Sequence, residues 1–159
     1  MKKIIVLVLV LLFMPVFAFA DDIADVKAFF NKYVNAANTY STDIPSYYSP
    51  NAKIVRVIMK KDGTTKTMTT NMAEYTKQLK LNAKIAKVRN YKNFYSDISV
   101  AKVGSNYKLT CKRKPSLSDY KLPASFVITK NASGQYKIIQ ESMHTKVQTF
   151  LLYADKSET

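Results

Sequence analysis

The chain has 159 residues, of which 25 are Lys or Arg and 11 are Asp or Glu, so its formal net charge is +14. Hydrophobic residues make up 47%, which excludes a wholly disordered or collagen-like chain, and the length is that of one domain. The single Cys and single His exclude a disulfide framework and metal sites built from several such ligands, and we expect no metal and no cofactor.

The first 20 residues have the layout of a secretory leader. Lys2 and Lys3 precede an uninterrupted apolar run over residues 4–13, and Ala18-Phe19-Ala20 matches the small-x-small cleavage pattern. An uncleaved anchor is disfavoured because the apolar stretch is shorter than the ~20 residues that a spanning helix needs. We therefore expect cleavage after Ala20 and a periplasmic or secreted protein.

Residues 21–70 predict a long helix followed by a hairpin. Apolar side chains recur at steps of three and four over residues 21–40, and acids near the start suit the helix dipole. A short helix is expected over residues 44–48. Strands are expected over residues 53–60 and 65–70, joined by the turn signal Asp62-Gly63.

The rest of the chain predicts one more helix and then strands. Asn71 with Glu74 resembles a capping box and begins a short helix through Leu79. From residue 83 onward we expect only strand, with Cys111 buried as a small hydrophobe. All three glycines of the chain fall in predicted turns. The expected strands cover residues 85–103, bent near Asn93, and residues 107–114, 122–130 and 135–147, before a tail over residues 150–159.

Three local segments follow one another along the chain, namely FFNKYVNA at residues 29–36, YYSPNA at residues 47–52 and GQYKII at residues 134–139. In this order they resemble the nuclear transport factor 2-like superfamily in its SnoaL-like bacterial branch, and the similarity spans nearly all of residues 21–147. The resemblance implies a single α+β domain over residues 21–159, in which a cone-shaped, curved antiparallel sheet of the cystatin-like type wraps around the long N-terminal helix. Such a cone can hold a small molecule, but the family includes isomerases, dehydratases, epoxide hydrolases and domains that only bind or dimerise.

Catalysis of the kind that the resemblance implies would need an acid–base pair inside the cone. In steroid-isomerase relatives a carboxylate base lies on the first strand, four residues after its opening Ala, and the match to Ala52 places Arg56 there. Arg stays protonated and cannot act as a base. His144 is expected near the rim and Glu141 on the outer face, so no acid–base pair emerges. We therefore lean against an enzyme and name no catalytic residue.

The resemblance also implies which side chains face the interior of the cone. The expected pocket residues are Tyr33, Arg56, Tyr75, Gln140 and Ser142. One interpretation is a pocket for an anionic amphiphile, in which Arg56 holds the acid group and the tyrosines supply flat apolar area. The alternative is that the tyrosines are core and Arg56 reaches solvent.

Basic residues cluster in two segments that were expected to pair as strands. If they pair, they form a surface patch suited to an anionic envelope surface or an acidic partner, although a solvated face is the alternative. Lys outnumbers Arg 22 to 3, and with secretion this argues against nucleic acid. The patch residues are Lys84, Lys87, Arg89, Lys92, Lys108, Lys112, Arg113 and Lys114.

Three functions remain open from the sequence. The first is a secreted, non-enzymatic ligand-binding or interaction domain, dimeric through an outer sheet face carrying Ile139 and Met143. The second is a small-molecule isomerase or dehydratase with an atypical residue set. The third is a subunit of an envelope secretion machine, which the absence of a convincing anchor disfavours.

Overall fold

The computed structural model describes residues 15–154. The basic start and most of the apolar run of the predicted leader lie outside the described residues, as do residues 155–159 of the tail. Cleavage after Ala20 stays a prediction. Within residues 15–154, no helix is both long and apolar enough to cross a membrane.

The elements alternate between helices and strands before a run of four long strands. Short 3-10 turns occur at Ile44–Tyr47 and Gln148–Phe150. The helices are α1 (Pro15–Asn38), α2 (Met72–Val88) and the short α3 (Leu151–Ala154). The strands are β1 (Tyr48–Met59), β2 (Thr65–Thr70), β3 (Asn93–Val103), β4 (Asn106–Pro115), β5 (Leu122–Lys130) and β6 (Tyr136–Thr145).

Helix α1 supplies the centre of the core. Val26, Phe30 and Tyr33 lie on the predicted apolar stripe and are buried. The Phe30 ring meets Phe126 of β5 edge-on, with centroids 4.8 Å apart. The sheet face that carries α1 is called the inner face below, and its opposite is called the outer face.

The six strands form one curved, open sheet in the order β2-β1-β6-β5-β4-β3. The expected α+β architecture is confirmed, but the sheet is not wholly antiparallel, because β1 and β6 pair in parallel. These two strands are far apart in the chain, so no hairpin turn dictates their relative direction. Gly63, with φ of +84°, forms the predicted turn between β1 and β2.

Helix α2 is longer than the sequence predicts. Its start is as expected, since the Asn71 side chain accepts a hydrogen bond of 2.9 Å from the backbone N–H of Glu74. The prediction of strand from residue 85 is wrong, because the helix continues to Val88 and β3 begins at Asn93. Leu79, Ala83 and Ala86 recur at helical spacing on the side that faces the sheet.

A β-bulge in β6 reverses the facing of every later residue in that strand. Ile138 pairs with Ile128 and Gln140 pairs with Val127, so Ile139 has no opposite residue on β5. Glu141 and Met143 are therefore buried on the inner face. The predictions that Glu141 and Met143 face outward are wrong, because they assumed unbroken alternation.

Candidate functional site

A cavity of about 490 Å³ lies between the inner face of the sheet, the C-terminal end of α1 and helix α2. Its apolar lining includes Ile54 and Met68 from the first hairpin, Leu79 from α2 and Phe150 from the C-terminal segment. The volume is in the range of pockets that bind small organic molecules. The curved sheet and the two helices therefore enclose a space that side chains do not fill.

A buried ion pair lies at the sheet side of this cavity. Residue 141 of β6 is opposite Ile54 of β1, two positions before Arg56 on the same face. Glu141 is fully buried, and its Oε1 lies 2.7 Å from Nη2 of Arg56. The contact is electrostatic, since no donor among the described residues forms an aligned hydrogen bond to Oε1. Nη1 of Arg56 donates to the carbonyl of Val55 at 3.1 Å.

Two tyrosines complete the environment of this carboxylate. The Tyr33 hydroxyl donates to Oε2 of Glu141 at 3.0 Å, and the Tyr48 hydroxyl donates to the same oxygen in a short hydrogen bond. The two phenol oxygens are 2.9 Å apart. Glu141 is therefore held by one cation and two neutral donors, which compensates its burial.

Burial and the Glu141 charge both shift the titration of the surrounding groups. Desolvation, followed by the Glu141 carboxylate, raises the pKa of Tyr33 and of Tyr48 well above 10. The same two causes raise the pKa of Tyr75 to about 12. Burial acts against the charge of Arg56, but Glu141 and the tyrosines outweigh it and raise its pKa. The tyrosines are thus neutral hydrogen-bond donors and Arg56 is a cation at any physiological pH.

A second buried guanidinium lines the cavity without a carboxylate beside it. Arg113 of β4 is 6% exposed, and all its hydrogen-bond partners are neutral. Nη1 donates to Oδ1 of Asn93 at 2.9 Å and to the Tyr91 hydroxyl at 3.3 Å, while Nη2 donates to the His144 carbonyl at 3.2 Å. Nε is buried and has no partner among the described residues. No carboxylate among the described residues therefore neutralises the positive charge of Arg113.

The charges that line the cavity do not balance. Among the lining residues that the structure describes, Glu141 is the one acid, whereas Arg56, Lys80 and Arg113 are basic. Arg56 and Glu141 neutralise each other, so the remaining field is positive and is centred in the interior on Arg113.

The structure brings together some of the predicted pocket residues and excludes others. Tyr33, Arg56 and Tyr75 line the cavity, and the guanidinium carbon of Arg56 lies 5.9 Å from the centre of the Tyr75 ring. Gln140 is exposed and Ser142 lines a shallow depression on the outer face, so the prediction that these two face inward is wrong. The β6 bulge is the reason.

Three polar residues of the site are not among the pocket residues that the sequence predicts. The sequence places Tyr48 in an entry motif, Glu141 on the outer face and Arg113 in a surface patch. Arg113 alternates with Leu109 and Cys111 along β4, and this alternation was the signal that could have placed it inside.

The predicted basic patch does not form one surface. Arg113 is buried, which contradicts its predicted place there. Residues 84–88 are helical and therefore cannot pair with β4. Lys84 and Lys87 lie on helix α2, and Arg89 and Lys92 follow it in the chain. Lys108, Lys112 and Lys114 instead alternate with the buried residues of β4 and lie on its outer face.

The chain shows no arrangement for a resident metal within residues 15–154, where no group of three or more His, Cys, Asp or Glu side chains clusters. Cys111 is buried, and its thiol donates to the Ala124 carbonyl at 3.6 Å. Burial raises the pKa of this thiol to about 12, so it is not a thiolate at neutral pH.

Comparisons with known proteins identify the fold. No family model matches the sequence, and no curated protein matches it. A solved NTF2-like protein of unknown function from Pseudomonas putida superposes with a TM-score of 0.61 at 10% identity, covering 79% of this chain and 87% of that one. An NTF2-like protein with a cystatin-like fold from Novosphingobium aromaticivorans gives 0.60 at 8% identity, covering 80% and 84%.

A candidate dehydratase of the NTF2-like family from Streptomyces avermitilis is similar to the same extent. Its TM-score is 0.61 at 13% identity, covering 79% of this chain and 96% of that one. The chain therefore has the nuclear transport factor 2-like, cystatin-like fold that its sequence segments predict. At these identities the likeness extends to the fold, and function has to be argued from the cavity.

Proposed function

We propose that this protein is a secreted or periplasmic binding protein for a small amphiphile that carries an acidic group. The acid group binds at Arg113, and the apolar part of the ligand occupies the cavity. The observation that carries the proposal is a buried guanidinium, on the cavity wall, whose charge no carboxylate of the described chain neutralises.

The electrostatic argument separates the two buried arginines. An unpaired buried charge costs several kcal/mol, and neutral hydrogen-bond partners offset only part of that cost. Arg56 has Glu141 at 2.7 Å, so it needs no ligand. Arg113 has no acidic partner among residues 15–154, and a carboxylate, sulfate or phosphate group in the cavity would neutralise its charge. The anchor for an anion is therefore Arg113, whereas the sequence predicts Arg56 for this role.

The other residues that line the cavity indicate the chemistry of the non-acidic part of the ligand. Ile54, Met68, Leu79 and Phe150 provide apolar surface, and Tyr75 and Tyr120 provide aromatic rings with a polar tip. A ligand with an acid at one end and a hydrocarbon or aromatic body fits this division. A strongly polar ligand such as a free sugar would leave the apolar lining unmatched.

A matched pair of ligands tests the proposal. Calorimetric titration compares dodecanoic acid with dodecanol, which shares the chain but lacks the charge. We expect tighter binding of the acid, and in Arg113→Met a loss of about tenfold or more for the acid with little change for the alcohol. Arg89→Met, which removes an exposed arginine from the end of α2, is the control. Equal affinity for acid and alcohol, or an unaffected Arg113→Met, would contradict the proposal.

One observation favours a second candidate, a small-molecule isomerase or dehydratase. The Glu141 carboxylate with Tyr33 and Tyr48 is a buried pairing of a proton acceptor with proton donors beside a ligand-sized cavity. Against it, the Glu141 carboxylate already contacts Arg56, Tyr33 and Tyr48, and the raised pKa values of the tyrosines weaken them as acids.

The Glu141→Gln/Arg56→Met double variant separates the two candidates. It removes the proton acceptor without leaving Arg56 as an unpaired buried cation, and Gln keeps the shape and an acceptor oxygen but cannot take a proton. A binding protein retains a bound acid unchanged in the parent and in the double variant. An enzyme converts its substrate in the parent and not in the double variant, and mass spectrometry of the released molecule distinguishes these outcomes.

A further inference from the structure

Helix α2 has apolar side chains on two faces, and only one of these faces is turned toward the sheet and the cavity. Leu79, Ala83 and Ala86 point to the cavity. Leu81, Ile85 and Val88 are 68%, 54% and 81% exposed. Their spacing of four and three residues places them on a single stripe of the helix. Isolated exposed apolar residues are normal on a protein surface, but a continuous stripe marks a contact surface.

The charge around this stripe has one sign. Within residues 72–89 the only acid is Glu74, in the first turn, far from the stripe's C-terminal end. A strongly basic helix with a narrow apolar stripe is typical of segments that lie in the interface of an anionic membrane. The basic residues of this segment are Lys77, Lys80, Lys84, Lys87 and Arg89.

The neighbouring loop adds to the same region. The backbone N–H of Lys92 donates to Oγ of Ser116 at 2.9 Å, and the N–H of Ser116 donates to the Lys92 carbonyl at 2.8 Å. These bonds hold the loop between β4 and β5 against the segment that follows α2. The next residue of that loop, Leu117, is 60% exposed.

We propose that the protein docks on bilayers containing anionic lipid through the outer stripe of α2. Leu81, Ile85 and Val88 enter the headgroup region, and the flanking lysines contact lipid phosphates. A soluble acidic polymer would satisfy the lysines and leave the apolar stripe in water, so a bilayer matches both features. Because α2 is also a wall of the cavity, docking brings the cavity to a surface where amphiphiles are found. This last consequence rests on the proposed function, whereas docking itself does not.

The absence of tryptophan from the chain allows a site-specific test. Val88→Trp places a reporter in the stripe, and Val103→Trp places the matched reporter at an exposed valine at the end of β3. Each variant is titrated with vesicles of phosphatidylcholine alone and of phosphatidylcholine mixed with phosphatidylglycerol. We expect a blue shift of emission only for Val88→Trp and only with the mixed vesicles. Attachment through the leader would leave both reporters unshifted.

Lysine variants in the Val88→Trp background test the charge contribution. We expect Lys84→Gln/Lys87→Gln to need about tenfold more mixed vesicle for half the shift, because interfacial basic residues contribute to anionic-lipid binding. The matched control, Lys108→Gln/Lys112→Gln, removes two lysines from the outer sheet face and should shift the titration little.

Several results would overturn the docking proposal. These are no shift at position 88, an equal shift at position 103, or equal effects of the two lysine pairs. A position-88 shift that appears with polyphosphate or with increasing protein concentration, in the absence of vesicles, would show a polymer site or self-association instead. If dodecanoic acid does not bind but mixed vesicles still shift the emission of Val88→Trp, the proposed function is rejected and the docking proposal stands.

Discussion

Glu141 links strands β1 and β6 to helix α1 through side chains alone. It contacts Arg56 of β1, accepts a hydrogen bond from Tyr33 of α1 and accepts another from Tyr48 at the start of β1. Each partner loses its own compensation if the carboxylate is removed. Networks of this kind are costly to break at one member and less costly to replace whole.

Removal of the Glu141 charge should destabilise the fold strongly. We expect Glu141→Ala to lower the free energy of unfolding by about 3–5 kcal/mol, because Arg56 remains as an unpaired buried cation. The double variant Glu141→Gln/Arg56→Met should recover much of this loss. Urea unfolding measures both, and Gln140→Ala, on the exposed neighbour, is the control. A double variant as unstable as Glu141→Ala would show that the ion pair is not the cause.

Asp22, in the N-terminal half of α1, makes a second group of polar contacts between this helix and the sheet. The hydrogen bond from the Tyr107 hydroxyl, at 2.7 Å, is the main cause that lowers the pKa of Asp22 below 3.8, and Lys130 and Tyr136 add to it. A lowered folded pKa contributes stability that is present above the ordinary pKa and is lost as pH falls through the folded value.

The Asp22 contacts therefore predict a pH-dependent stability difference. We expect Asp22→Asn to be less stable than the parent at neutral pH, with the gap closing as the pH falls below 3.8. Thermal unfolding over a pH series measures this, with Asp25→Asn on the exposed side of the same helix as the control. A gap that stays constant down to the acid end would contradict the assignment.

At the scale of elements, the bulge in β6 determines which residues form the site. It places Glu141 and Met143 inside and leaves Gln140 and Ser142 outside. Bulges commonly redirect side chains next to functional sites. The residues before the bulge, such as Ile138, keep the facing that simple alternation predicts.

Deletion of Ile139 tests the assignment of the bulge. Without the extra residue, Gln140 follows Ile138 directly, so β6 pairs in unbroken alternation and Glu141 and Met143 keep their inner facing. We expect this deletion variant to retain cooperative thermal unfolding. Deletion of Ser142, which is paired and lies after the bulge, should abolish it, because Met143 would then turn to the outer face. An Ile139 deletion as damaging as the Ser142 deletion would contradict the assignment.

The elements differ in how far the sequence predicts them. Helix α1, the Asp62-Gly63 turn and the start of α2 carry local signals, namely a regular apolar stripe, a residue suited to positive φ and a capping side chain. The end of α2 carries none, because Leu81, Ile85 and Val88 are exposed and do not mark a buried face. Their apolar character led to the prediction of a strand there.

The candidate site was predictable only in part, for a similar reason. Tyr33 lies on the regular apolar stripe of α1, and the family resemblance turns Arg56 of β1 inward; both residues line the cavity. Glu141 depends on a bulge that pairing with β5 creates, and pairing between distant segments leaves no local pattern. Its partnership with Arg56 further depends on the parallel pairing of β1 and β6.

At the scale of the whole molecule, the homodimer remains a prediction with a changed contact surface. Met143 is buried inside, so the outer face of β1 and β6 instead includes Val55, Val57, Ser142 and His144. We expect Val57→Glu to shift sedimentation velocity profiles toward monomer, and Ala132→Glu, in the exposed turn before β6, to leave them unchanged. A parent that sediments only as monomer at micromolar concentration would contradict the prediction.

The proposed function depends on an acidic amphiphile being the occupant of the cavity. The most direct measurement is native mass spectrometry of the protein recovered from its own host, followed by identification of any molecule released on unfolding. We expect a bound molecule with one acidic group and an apolar body, retained by Arg89→Met and lost from Arg113→Met. A neutral or basic bound molecule, or an acidic one that Arg113→Met retains fully, would contradict it.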